Sequence, residues 1–188
     1  MQAPTHLATG ILIEKAMEKV EPACFRKSSV AFLAALSHAI LDVLSDLTYH
    51  PPEPILVDSF WFSYHLVLSL LTICIFIRYW GKYRLGILCS ILPDFDWLVV
   101  HLTRAFKLEV TFCKEPVLHR FLLGFVRRFT PFRLPKSLPN WRLNKKTVLM
   151  EFALWALLTA VYCTIGQASR TSLLVQERRE NRERSWFS

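Results

Sequence analysis

Three residues with chemically active side chains recur at helical spacing in an otherwise apolar stretch of the chain. His38, Asp42 and Asp46 are four residues apart within residues 28–47, which read SSVAFLAALSHAILDVLSDL. On an α-helix, residues four apart lie on the same face, so these side chains form one polar stripe. An imidazole and two carboxylates in apolar surroundings are costly unless a partner offsets their charge. The stripe therefore predicts a metal ion, a cationic side chain or a water-filled cavity beside it.

The apolar pattern of the remaining sequence predicts a set of helices that would position this stripe. We predict helices over the ranges 5–20, 28–47, 60–77, 85–103, 117–129 and 147–166. Thr5 is the predicted N-cap of the first helix. The range 60–77 has no formally charged side chain, which is typical of a transmembrane helix. The chain is therefore expected to be all-α, a multi-pass helical membrane bundle built from antiparallel helical hairpins.

The first hairpin is predicted to gather three polar residues at one level. If residues 5–20 and 28–47 run antiparallel, His6 lies roughly 21 Å from the turn that joins them, because an α-helix rises about 1.5 Å per residue. His38 and Asp42 lie roughly 16 and 22 Å from the same turn. The three side chains therefore reach about the same height in the bundle.

The next two apolar helices form a second hairpin with a similar outcome. His65 lies roughly 21 Å from its turn, and Asp94 and Asp96 lie roughly 15 and 18 Å from it. Two residues apart on a regular helix, the two carboxylates would point to nearly opposite sides. Pro93 immediately before them favours a helix break, which would let both carboxylates face one ion.

The residue types at this level indicate metal chemistry. Histidine combined with aspartate is typical of zinc, manganese or iron(II) sites, with zinc favoured here, whereas calcium prefers more carbonyl oxygens and no imidazole. A metal-bound water of near-neutral pKa is a nucleophile for hydrolysis, and two close ions can clamp a phosphoryl group. Arg120, beside His119, is interpreted as a substrate-binding residue that holds a phosphate. His65 is interpreted as a catalytic base, with a further ligand or a merely buried polar group as the alternatives.

The composition indicates the class of protein. The 188 residues are 53% hydrophobic with a mean hydropathy of +0.30, which favours one membrane domain over a soluble one. We predict a single helical membrane domain over residues 1–170, with a basic amphipathic connector at 104–146, and a solvated C-terminal tail at 171–188. The formal net charge of +8 favours contact with lipid head groups over nucleic acid. The distribution of Lys and Arg leaves two topologies open, in which residues 85–103 either cross the membrane or re-enter on the same side.

Four short segments resemble a known family. They read THLATG from Thr5, SHAILD from Ser37, LPDFDW from Leu92 and LHR from Leu118. They resemble the bacterial family of inner-membrane, metal-dependent hydrolases, which is itself likened to zinc-dependent phospholipases C. The resemblance implies a location in the bacterial inner membrane and the metal ligands His6, His38, Asp42, Asp94, Asp96 and His119.

Three features differ from the pattern of that family. Trp97 stands where the family usually has histidine, and His119-Arg120 is not followed by the expected second histidine. The SHAILD segment also precedes the PDFDW segment instead of following it. The missing histidines leave two alternatives to a two-metal enzyme: a site for one metal ion, or a relative that has lost catalysis.

These observations together predict a membrane-embedded metal-dependent hydrolase that acts on a phosphoester or lipid-derived substrate through a metal-activated water. Its expected partners are membrane lipids and that substrate. The alternative is a non-catalytic integral membrane scaffold whose buried histidines and aspartates make structural hydrogen bonds. A third candidate is a small metal or proton carrier that uses the polar stripe as a relay.

Overall fold

The computed structural model describes residues 2–49, 51, 57–106, 116–129 and 141–186, apart from the side chains of residues 46, 101, 104, 105 and 168–186. Its α-helices are α1 (Ala3–Ala16), α2 (Ala23–Leu44), α3 (Ser59–Tyr79), α4 (Arg84–Ala105), α5 (Val117–Phe129) and α6 (Val148–Trp186). Two short 3-10 helices, Ser45–Leu47 and Lys145–Thr147, follow α2 and precede α6. All regular structure within the described residues is helical, which confirms the predicted all-α fold.

The predicted helix ranges agree with the structure to within five residues, except that α6 continues 20 residues beyond its predicted end at 166. The predicted cap of α1 is wrong. Gln2 is the N-cap residue, and Thr5 lies inside the helix. Pro4 occupies the first turn, where its missing N–H is not needed, so the helix begins before Thr5. The Thr5 side chain is consequently buried within the bundle.

The predicted helix break at Pro93 is also wrong, because α4 continues through this proline. Pro93 cannot donate a hydrogen bond to the Cys89 carbonyl four residues earlier. However, α4 packs extensively against both α1 and α2. These contacts outweigh the loss of one intrahelical hydrogen bond, and Asp94 and Asp96 therefore project from a regular helix.

A close crossing of α1 and α4 fixes the relative position of these two helices. A Cβ atom added to Gly10 would lie 2.2 Å from the Gly86 carbonyl oxygen, so the two backbones are in direct contact. Small residues at a crossing allow such an approach in bundles of apolar helices. Glu14 reinforces the crossing, because its Oε2 accepts a 2.7 Å hydrogen bond from the Gly86 N–H in the first turn of α4.

Among the residues that the structure describes, three helical segments are long and apolar enough to cross a membrane: Ala23–Leu44, Ser59–Tyr79 and Lys145–Gln167. Many large apolar side chains on these segments are exposed on the protein, among them Leu70, Ile77 and Leu157. Such a surface is stable in a bilayer and unfavourable in water. The structure therefore supports a membrane protein. Residues 107–115 and 130–140 of the predicted connector lie outside the described residues, as do the side chains of the predicted tail.

Candidate metal centre

Four helices direct candidate ligands to one place. Asp42 on α2 is the centre of the group, and its two carboxylate oxygens face different imidazoles. Oδ1 lies 3.3 Å from Nε2 of His6 on α1. Oδ2 lies 3.1 Å from Nε2 of His38, one turn earlier on α2, and 3.6 Å from Nδ1 of His119 on α5. The predicted convergence of the two N-terminal helices is thus present, and α5 adds a third imidazole.

The fourth helix contributes Asp94 from α4. Its Oδ1 lies 3.4 Å from His38 Nε2, so this nitrogen faces two carboxylates at once. Two groups of side chains have ligand atoms within 4.8 Å of one another: His6, His38 and Asp42, and His38, Asp94 and His119. Ligands about 2.0–2.2 Å from a tetrahedral zinc ion lie about 3.4 Å from each other. The observed separations of 3.1–3.6 Å match this spacing.

The backbone of α4 determines which nitrogen of His38 faces the carboxylates. His38 Nδ1 lies 2.7 Å from the Ser90 carbonyl oxygen, which can only accept, so Nδ1 carries a proton and donates it. Nε2 of the neutral ring then presents a lone pair to Asp42 and Asp94. A lone pair against two carboxylates is repulsive, so the arrangement requires either a cation between them or a proton on Nε2. A hydrogen bond from the second ring nitrogen to a carbonyl is also typical of metal-binding histidines.

Burial keeps these imidazoles away from water. His6 is 2% exposed and His38 is 1% exposed. Three ring nitrogens in the cluster are buried without a hydrogen bond of good geometry: His6 Nδ1, His38 Nε2 and His119 Nδ1. Burial lowers the pKa of His6 to about 4, so its imidazole is neutral at pH 7, the form that binds metal ions. The donor set and the orphaned nitrogens therefore fit a divalent ion such as zinc.

Asp96 belongs to neither ligand group and has a different position from the one predicted. Its Oδ2 accepts hydrogen bonds from the backbone N–H of Leu118 and, at 3.0 Å, from that of His119. It therefore caps the N-terminus of α5, where a carboxylate is favourable for both hydrogen bonding and the helix dipole. The carboxylates of Asp94 and Asp96 diverge because α4 is continuous. Asp96 supports the centre by holding the helix that carries His119.

The structure does not bring His65 to this cluster. His65 Nδ1 donates a 2.8 Å hydrogen bond to the Trp61 carbonyl of its own helix, and its ring stacks on Trp61 at 4.1 Å. The part of α3 beside Asp94 begins at Thr72, about 10 Å further along the helix axis. His65 therefore does not lie at the height in the bundle where the predicted site residues converge. Arg120 follows His119 on α5 and is exposed.

Three further residues support the centre through contacts that the sequence did not identify. Ser90 supplies the carbonyl that orients His38, and Trp97 presents its ring edge-on to His119 at 6.0 Å between centroids. Glu151 of α6 is buried and accepts hydrogen bonds from the Gln2 N–H, at 3.3 Å, and from the Thr5 hydroxyl. The unusual charge of Glu151 within an apolar helix was the available signal. Nothing in the sequence indicated which helix it would contact.

Comparison with known proteins adds no assignment to this geometry. No protein-family model matches the chain, and neither a curated protein nor a solved structure matches it.

Proposed function

We propose that this protein is a membrane-embedded metal-dependent hydrolase that acts on a phosphoester or lipid-derived substrate. In this proposal it is a multi-pass protein of the bacterial inner membrane, related to the hydrolase family that its four short segments resemble. Zinc is the favoured ion, and manganese or iron(II) would suit the same ligands.

The observation that carries the proposal is the convergence of three imidazoles and two carboxylates from four separate helices. Ionisable groups in apolar helices are costly and are found mainly where they have a function. Here the groups do more than pair with each other. His38 Nε2 faces Asp42 and Asp94 together, and the separations match those between ligands of one ion. A cation at this point would relieve the repulsion and give His38 Nε2 and His119 Nδ1 a partner.

The residues divide into ligands, supports and a substrate contact. Asp42, His38, His6, Asp94 and His119 are the proposed ligands. When bound, zinc supplies Lewis acidity and a water of lowered pKa for attack on a phosphoester. Asp94 is 49% exposed, so the substrate approaches from its side of the centre. Arg120, exposed next to His119, is the proposed contact for a phosphate oxygen.

The geometry also favours one ion over two. Since His38 Nδ1 bonds the Ser90 carbonyl, only Nε2 is available, and this atom is common to both ligand groups. One nitrogen binds one ion. This agrees with the absence of the two family histidines from the positions of Trp97 and the segment after His119.

One observation favours a non-catalytic scaffold as the second candidate. The contacts of 3.1–3.6 Å between imidazoles and carboxylates are also compatible with ion pairs, provided that His38 carries a proton on Nε2. A buried cluster of this kind would hold α1, α2, α4 and α5 together without a metal. Removing one partner of such a buried pair is strongly destabilising.

Metal analysis of the detergent-purified protein distinguishes the two candidates. We expect one zinc ion per chain in the wild type, and no stoichiometric zinc in the His38→Ala variant. His65→Ala is the matched control, because His65 bonds only within its own helix turn and should leave the zinc content unchanged. Loss of phosphodiester hydrolysis in metal-depleted protein, restored by added zinc, would then test catalysis. Wild-type protein that binds no zinc, manganese or iron would refute the proposal and favour the scaffold.

A further inference from the structure

An apolar groove adjoins the candidate metal centre on the side of Asp94. It has a volume of about 400 Å³ and lies between α1, α3 and α4. We call it the lateral groove and define it by Leu7, Ile73, Phe76, Ile91, Phe95 and Asp94. Its volume is within the range of small-molecule sites, which is about 300–1,000 Å³.

The lateral groove is continuous with the metal centre through one residue. Asp94 lines the groove, and its Oδ1 is also 3.4 Å from His38 Nε2. No other charged side chain lines the groove among the described residues. A ligand in the groove would therefore have an apolar body and would present its polar end only at Asp94.

The groove opens between helix surfaces that are apolar and exposed. Ile73 at its rim is 54% exposed, and Phe95 and Leu98 on the opposite rim are also exposed. The helix that carries Ile73 is one of the three that are apolar and long enough to cross a membrane. The opening therefore faces the hydrocarbon region of the bilayer and is open to lipid. A water-soluble molecule would meet mainly apolar side chains on the way to Asp94, because the hydroxyl of Thr72, the other polar residue of the lining, already donates to the Leu68 carbonyl.

From this geometry we infer that the lateral groove binds one acyl chain of a membrane lipid and places the head group of that lipid at Asp94. The inference deepens the proposed function, on which it rests for the fate of the lipid, by assigning the substrate class as a chain-bearing amphiphile. Binding of the chain depends only on the groove. Since the chain is already out of water in the bilayer, its binding depends on close packing against the side chains of the groove. The polar end reaches the cluster because Asp94 is the junction between the groove and the centre.

Photo-crosslinking tests this inference. The protein is placed in nanodiscs of phosphatidylethanolamine and phosphatidylglycerol, to which is added a phosphatidylglycerol that carries a diazirine in one acyl chain. After irradiation, mass spectrometry should locate adducts on Phe76 and Ile91, which are recessed between the helices. In the Ile73→Trp variant the new ring fills the rim of the groove, and most of these adducts should be lost. Ile77→Trp is the matched control: Ile77 lies one turn further on α3, is 73% exposed and does not line the groove. It should leave the adducts on Phe76 and Ile91 unchanged.

Two outcomes overturn the inference. One is labelling confined to outward-facing residues such as Leu70 and Ile77, with Phe76 and Ile91 unlabelled. The other is labelling of Phe76 and Ile91 that persists in Ile73→Trp. The experiment is repeated on His38→Ala and on chelator-treated protein, because groove labelling that survives there separates chain binding from metal binding. If the wild type as purified showed groove labelling but bound no metal ion, the lipid-binding groove would be supported and the hydrolase refuted. A zinc-loaded wild type without groove labelling would support the metal centre and refute the lipid-binding groove.

Discussion

At the scale of single residues, the roles of Asp94 and Asp96 differ because the helix between them is regular. Asp94 faces His38, whereas Asp96 bonds two backbone N–H groups at the start of α5. Both acids belong to the LPDFDW segment, and the resemblance of that segment implied that both are metal ligands. The structure assigns one to the cluster of candidate ligands and the other to the support of a neighbouring helix.

Substituting each acid by asparagine should separate these roles. Asp94→Asn removes an anionic ligand, and we expect its zinc affinity to fall by more than the 10–100-fold that is typical of changes behind the ligands. Asp96→Asn should stay close to wild type, because asparagine caps a helix about as well as aspartate does. Isothermal titration of metal-depleted protein with zinc measures both affinities. Equal losses in the two variants would contradict the division.

The alanine variant of Asp96 tests its role as the cap of α5. Asp96→Ala removes the cap, which costs about 1 kcal/mol of stability. Because α5 then loses its anchor on α4, the zinc affinity should fall about tenfold, within the range for supporting groups. A comparison with Asp96→Asn in the same titration is the control. An unchanged affinity in the alanine variant would show that His119 does not depend on this cap.

The sequence was sufficient to predict part of the candidate site. His38 and Asp42 could be paired because residues four apart share a face of any helix. Their proximity to His6 followed from the rise per residue in a hairpin. The role of Asp96 could not be predicted, because it depends on whether Pro93 breaks α4, and packing against α1 and α2 decides that. His65 was misplaced because the same hairpin estimate ignores the tilt and offset of packed helices.

At the scale of helices, the position of His6 depends on how closely α1 approaches α4. Gly10 and Gly86 lie in backbone contact, and His6 is one turn before Gly10 on α1. Ser90, which orients His38, is one turn after Gly86 on α4. The antiparallel crossing therefore aligns one candidate ligand with the residue that orients another. These glycines were not singled out in the sequence, since a close crossing is a property of two helices.

Adding a methyl group at this crossing should damage the fold and the centre together. In Gly10→Ala the Cβ atom would lie 2.2 Å from the Gly86 carbonyl oxygen, so α1 must move. We expect a loss of about 1–3 kcal/mol of stability, as for other overpacked interiors, together with weaker zinc binding. Thermal unfolding in detergent and zinc content are the measurements. Gly81→Ala is the control, because no atom lies within 4 Å of its added Cβ, and a comparable loss there would invalidate the explanation.

The N-terminal turn of α1 has a second support in α6. Glu151 accepts hydrogen bonds from Gln2 and Thr5, directly before His6 in the sequence. Glu151→Ala would leave the Thr5 hydroxyl and the Gln2 N–H buried without this acceptor, at a cost of about 1–3 kcal/mol. We expect zinc affinity to fall about tenfold, because the backbone that carries His6 is released.

Two further variants make the effect of Glu151 specific. Glu151→Gln keeps an acceptor oxygen and should retain most of the zinc affinity. Glu21→Ala removes an acid that is exposed and paired only with Arg26 in the turn before α2, so it should have no effect. If Glu151→Gln were as impaired as Glu151→Ala, the negative charge of Glu151, and not its hydrogen bonds, would be what the centre requires.

At the scale of the whole molecule, side-chain contacts establish which helix ends share a face of the bundle. Glu18 bridges to Lys82 at 3.0 Å, so the turn after α1 and the turn after α3 lie together. Tyr162 of α6 is on the same face, since Lys15 Nζ donates a 2.8 Å hydrogen bond to its carbonyl. We call this the turn face.

The opposite face contains the beginnings of α3 and α6. Lys145 Nζ lies 2.6 Å from Asp58 Oδ2, which joins the residues before these two helices. Since α4 is a continuous helix from the turn face, its far end at Ala105 belongs to this second face, as does Lys145. We call it the connector face. Asp42, near the end of α2, places the candidate metal centre closer to the connector face.

Charge counting leaves open whether residues 85–103 cross the membrane, and the contacts between the helix ends favour a crossing by α4. Eleven of the 23 Lys and Arg residues lie between residues 104 and 146 in the sequence, and the others are in the turns, the helix ends near them and the tail. A nearly equal division gives the positive-inside rule no preference. The direction of the helices, in contrast, follows from two salt bridges and one hydrogen bond, none of which is visible in the sequence.

We therefore predict that the turn face and the connector face lie on opposite sides of the membrane. In Gly81→Cys and Lys146→Cys, each new thiol is at an exposed position, the first in the turn after α3 and the second at the very start of the segment Lys145–Gln167. In sealed vesicles a membrane-impermeant maleimide should label one of them from outside, and the other only after the vesicles are opened. Cys24, exposed at the start of α2, is an internal reference and should behave like position 81. Mass spectrometry of the labelled peptides identifies each site without removal of the native cysteines. Labelling of positions 81 and 146 from the same side would mean that α4 re-enters without crossing. It would contradict the placement of the two faces on opposite sides of the membrane.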